Sequence, residues 1–129
     1  MPFFNTGRGG KSPFGKDFQV IACGYIGNAS SRHTVTIKRT DADFVMCTST
    51  YKTQLISNTF AANGTNNCAA VLSGVGKSAT ISGMFKITDG IIGTSGSASL
   101  TWESANTVTF VPASDLGDSC IELFFCKYI

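Results

Sequence analysis

Gly74-Val75-Gly76-Lys77-Ser78 is the segment of this sequence that comes nearest to a known chemical device. A phosphate-binding loop ends in Gly-Lys-Ser, with backbone N–H groups around the phosphates and the lysine reaching the terminal one. That loop needs a glycine five residues before Gly76, where the chain has Val71. It also needs a helix to follow, and Ala79-Thr80-Ile81-Ser82 alternates like a strand. The segment therefore reads as a hairpin turn with an exposed Lys77.

Other chemistries are missing a partner. The sole histidine, His33, stands beside Arg32 at a strand start and reads as an exposed edge residue. No GxSxG elbow accompanies it, so abundant serines do not make a hydrolase. Most of the acids, Asp17, Asp41, Asp43, Asp89, Asp115 and Asp118 among them, stand in or beside turns, where aspartate bonds its own backbone. Glu103 falls on the opposite face from Trp102, so the two do not build a sugar platform. Cys23, Cys47, Cys68, Cys120 and Cys126 form no CxxC, and their spacing matches no zinc pattern. They read as free thiols in a core. Cys120 and Cys126 share one face of one strand, about 20 Å apart at 3.3 Å per residue, too far to bridge. No catalytic residue, cofactor or metal site is expected, and the chain reads as not an enzyme.

The elements that would position any site are strands. Thr34-Val35-Thr36-Ile37-Lys38, Ser99-Leu100-Thr101-Trp102-Glu103 and Thr107-Val108-Thr109-Phe110 alternate polar and apolar residues, a period of two. Strands are predicted at 17–27, 33–39, 42–48, 50–57, 67–73, 78–88, 97–103, 106–112 and 119–128. Turn-forming residues separate them, including Asp89-Gly90, Gly93-Thr94-Ser95-Gly96 and Asp115-Leu116-Gly117-Asp118. Short strands at such spacing predict an all-β antiparallel sandwich, jelly-roll or immunoglobulin-like, of about 8–9 strands. Ala79, Ile81, Phe85 and Ile87 are assigned one face, with Gly83 as a bulge. Leu100, Trp102, Val108 and Phe110 are assigned to the core.

Two organisational units are expected: an extended arm over 1–16 and a single β domain over 17–129. The arm MPFFNTGRGGKSPFGK mixes glycine and proline with basic residues, and it spaces Phe3, Phe4 and Phe14 along its length. The last stretch, Cys120 to Ile129, is apolar on both faces. It is either a central strand covered on both sides or one whose second face meets another subunit. Phe3, Phe4, Arg8, Lys11, Phe14, Phe124 and Tyr128 are the candidate partner-binding residues.

Charge narrows the partner. Only 14 % of residues are charged and the formal net charge is +2, too little for nucleic acid. The first forty residues hold Arg8, Lys11, Lys16, Arg32, Lys38 and Arg39 against Asp17 alone, so an acidic partner or the acidic part of a neighbouring copy suits them. No signal peptide and no membrane span are expected. The hydroxyl- and amide-rich remainder suits packing against protein or sugar. Tyr25, Tyr51, Tyr128 and the Asn63–Asn67 loop are the sugar-binding candidates.

The basic glycine-rich arm, the Thr/Ser/Gly-rich β domain and the few charges together resemble the small accessory structural proteins of tailed bacteriophages. The resemblance lies in overall style across the chain, without a motif matched residue by residue. It implies a homo-oligomer, trimeric in many such proteins, that decorates a major capsid or tail protein in a virion assembled in the host cytoplasm. The alternative is a carbohydrate- or receptor-binding β module, with a glycan as partner.

Overall fold

The computed structural model describes residues 10–11, 15–50 and 68–129. These hold nine strands: β1 (Gly10–Lys11), β2 (Asp17–Ile26), β3 (His33–Thr36), β4 (Phe44–Thr50), β5 (Cys68–Leu72), β6 (Ser78–Thr88), β7 (Ile91–Ser104), β8 (Thr107–Pro112) and β9 (Cys120–Tyr128). They form two antiparallel sheets, ordered β1-β2-β9-β4-β5 and β3-β8-β7-β6. The predicted all-β sandwich is what the chain adopts. Its wiring starts as a jelly roll, with β2 pairing β9 and β3 pairing β8. A jelly roll would continue by pairing the fourth strand with the seventh. Here the inner strands close instead as two hairpins, β4 with β5 and β6 with β7.

The core lies between the sheets. Alternate residues of both sheets meet there: Ile81, Met84, Leu100, Trp102, Val108 and Phe110 from one, Val45, Cys47, Ile121, Leu123 and Phe125 from the other. Trp102 is 1 % exposed and donates its indole N–H to the Ala105 carbonyl at 3.4 Å, so its one polar atom is not stranded in the core. Removing such residues from water supplies roughly 1.5–3 kcal/mol each.

Within the β6–β7 hairpin the structure corrects the sequence reading at two points. Residues 93–96 are not a turn: β7 runs unbroken from Ile91. The tight two-residue turn at Asp89-Gly90, φ 52° and 79°, locks Thr88 opposite Ile91 and carries the register straight through the glycine–serine run. Second, Gly83 is the expected bulge, with φ 76°, but the slip it causes turns Met84 into the core and leaves Phe85 only half-buried. Within the expected arm, Gly10–Lys11 makes a two-residue ladder with Phe18 and Asp17. The predicted strand over 50–57 falls, beyond Thr50, outside the described residues.

β9 is the central strand of its sheet and is covered on both faces. Ile121, Leu123 and Phe125 point into the sandwich. On the other side Cys126 joins Phe18, Phe44 and Met46 in a second buried apolar cluster, with Phe124, Tyr128, Val20 and Val71 packed beside it. The apolar C-terminal stretch is thus a central strand, with Phe124 and Tyr128 half-buried on its outer face. The end of β9 is pinned: Tyr128 N–H donates to Asp43 Oδ2 at 2.8 Å and Ile129 N–H to the Asp17 carbonyl at 3.1 Å.

Candidate functional site

Of the predicted partner-binding residues, Phe3, Phe4, Arg8 and Phe14 lie outside the described residues, as does the side chain of Lys11. Phe124 and Tyr128 are brought onto one face, the outer side of the five-stranded sheet, and both are half-buried. The Tyr128 ring sits 5.2 Å from that of Phe44, which meets Phe18 edge-on at 5.4 Å. Lys16 Nζ stands 5.0 Å over the Tyr128 ring, a cation–π contact of about 0.5–1 kcal/mol at an exposed site. Tyr51 and the Asn63–Asn67 loop also lie outside the described residues.

His33 is half-buried rather than exposed. Its ring leans on Phe110 at 6.5 Å, and Nε2 is buried without a hydrogen-bond partner. Among the described residues, no group of His, Cys, Asp and Glu could hold a metal ion. Of the four described cysteines, Cys47, Cys120 and Cys126 are buried, as expected of core thiols, and Cys23 is exposed. Partial burial and the Glu122 carboxylate push the Cys23 thiol up, which keeps it protonated and a poor nucleophile. Beside it, a hydrogen bond to the Cys120 thiol, together with burial, pushes the exposed Tyr25 phenol up to about 12.

Three features remain that could meet a ligand or partner. The first is a polar corner at one end of the sandwich. Three segments are stitched there by main-chain bonds: Ala29 N–H to Ser119 O at 2.9 Å, Ile87 N–H to Leu116 O at 3.2 Å, and Asp118 N–H to Ile87 O at 2.8 Å. Gly117, at φ 63°, packs directly on the Ile87 carbonyl, where a side chain would collide with backbone. Asn28, Ser30, Lys86, Asp89, Asp115 and Asp118 border the open cavity of about 280 Å³ that results.

The second is the tip of the β6–β7 hairpin, which the corner clamps at its base. Ile91 is 71 % exposed and Ile92 38 %. The sequence held a signal for it, an isoleucine pair directly after an Asp-Gly turn. The glycine–serine run that follows has the composition of a loop and masks that signal.

The third is the outer face of the four-stranded sheet. Register places Thr34, Thr109, Thr101 and Ser78 side by side across all four strands. The next rows are Val111, Ser99 and Thr80, then Ser97 and Ser82, and Thr36 pairs with Thr107 on the other side. Hydroxyls bond across the strands, Ser78 Oγ to Thr101 Oγ1 at 2.8 Å and Thr36 Oγ1 to Thr107 Oγ1 at 3.4 Å. Glu103, unpaired at the β7 bulge, is the charged residue on this face beside the Thr36–Thr107 end of the rows.

The chain matches no protein-family model, no curated protein and no solved structure.

Proposed function

We propose that this chain is a non-enzymatic structural subunit of a virion, a decoration or small tail component that docks on a larger shell or tube and associates with its own copies. The observation that carries this reading is the Ile91–Ile92 tip on its clamped hairpin. Ile91 is the projecting member of the pair: burying it in a partner's pocket would be worth up to roughly 1.5–3 kcal/mol, and Ile92, on the opposite face of the strand and already largely covered, would add less. The low charge of the remaining surface serves the same end, since few ions need desolvating on contact.

The reading is tested by mass spectrometry of particles purified from cells that express the protein. The wild-type chain is expected at a fixed ratio to the major shell or tube protein, and I91S/I92S is expected to fall at least tenfold. Absence of the wild-type chain from such particles would sink the reading, as would undiminished incorporation of I91S/I92S. Deleting residues 1–16 tests the arm separately: a folded domain that no longer incorporates is the expected result. Light scattering gives the oligomeric state, with a trimer expected.

A further inference from the structure

The outer face of the four-stranded sheet has the chemistry of a surface for a neutral, polyhydroxylated ligand. Hydroxyls both donate and accept, so a row of them complements any run of sugar hydroxyls in either polarity. Around Ser97, Ser99 and Val111 the lining carries no charge, so little desolvation opposes contact there. Thr109 lies on that face between Thr34 and Thr101 and is only 5 % exposed.

Beside Thr109 the face dips into a shallow trough of about 240 Å³. Thr80, Ser97 and Ser99 line one wall with hydroxyls, and Val111, Pro112 and Ala113 make the other apolar. A pyranose has the matching pair of surfaces, a rim of hydroxyls and a C–H face. The rows alone are also small for the competing occupant, a second copy of the chain. Four strands about 4.8 Å apart and rows spanning about six residues give a face on the order of 400 Å², half of what a stable protein pair buries on each side.

We propose that this face binds a neutral glycan chain, seated in the trough and bonded to the hydroxyl rows around Thr109. The proposal does not rest on the virion reading and would hold for a free-standing module too.

The test is an amide-resolved NMR titration of the full chain with two neutral probes, cellohexaose and maltohexaose. Saturable shifts in the millimolar range are expected for at least one, confined to the amides of 80, 97–99 and 109–113. S97L/S99L, which removes two hydroxyls and fills the trough, is expected to weaken binding at least tenfold. E103Q, outside the rows, is expected to bind like wild type. Where S97L/S99L does not give a folded spectrum, T80V serves as the second variant, with a several-fold loss expected. No shift with either probe overturns the proposal. So do shifts mapping elsewhere, or binding unchanged in a folded trough variant.

Discussion

The backbone of Gly117 lies against the carbonyl of Ile87 with no room for a methyl group between them. The two form an isolated parallel bridge, which ties the loop before β9 to the hairpin that carries the exposed isoleucines. G117A would set a Cβ into backbone that cannot move aside, at a φ that L residues avoid. A loss of at least about 2 kcal/mol is expected in urea unfolding, since left-handed strain alone accounts for about 1–3. Hydrogen exchange should show Ile87 and Asp118 amides losing protection first.

The Asp89-Gly90 turn fixes the register of β6 against β7. D89N, which tolerates the left-handed region, should be neutral, whereas G90V should cost about 1–2 kcal/mol or more because both turn residues have positive φ. Thermal unfolding of the two variants side by side separates the effects.

Trp102 anchors the core at the centre of the four-stranded sheet. W102A should cost about 3–5 kcal/mol, which threatens folding outright in a domain of ordinary stability. W102F keeps most of the volume and should cost markedly less, with only a loose 3.4 Å hydrogen bond lost. Equal destabilisation by the two would contradict this packing.

Cys23 should be the described cysteine that a thiol reagent reaches in the folded protein, with Cys47 and Cys126 reacting only on unfolding. Its rate at neutral pH should fall below that of a free thiol, because its pKa is raised first by burial and then by Glu122. E122Q should speed labelling modestly, removing the second cause and leaving the first.

Tyr25 provides a pH signature. Its phenol is held up to about 12 in the fold, chiefly by the bond to Cys120, against 10.0 ordinarily. Below the lower value both states keep the proton and this contribution is full. Between the two values the unfolded chain releases the proton first, so stability falls as pH rises. The ring is 59 % exposed, so solvent screens the effect and the slope should be shallow. Difference titration of wild type against Y25F should place the transition near pH 12; ionisation near 10 would refute the contact.

Alternation carried most of the fold. β6 and β8 were legible because Ser-Ala-Thr-Ile-Ser and Thr-Val-Thr put hydroxyls and hydrocarbons on opposite faces, and the bounds of β2 and β9 because turn-forming residues stand beside them. The start of β7 was illegible: Gly93 and Gly96 have no side chain to show a phase, and only pairing with β6 makes them strand. Met84 in place of Phe85 was hidden for a related reason, since a bulge shifts phase by one and the sequence shows the glycine but not the slip. The docking tip and the hydroxyl rows are properties of register between strands, which no single stretch displays. The two faces of β9 were visible, but its place between β2 and β4 was not, since strand order is set by pairing with distant segments.

That arrangement has a consequence in time. β2 and β4 are made early, and the strand that joins them is the last of the nine to leave the ribosome. At about 5–20 residues per second, β2 waits on the order of 5–20 s for its partner. During that interval two apolar strand edges have nothing to pair with. Nascent chains should therefore depend on holdase chaperones, and a stall before residue 120 should send them to aggregates rather than to a partly built sheet.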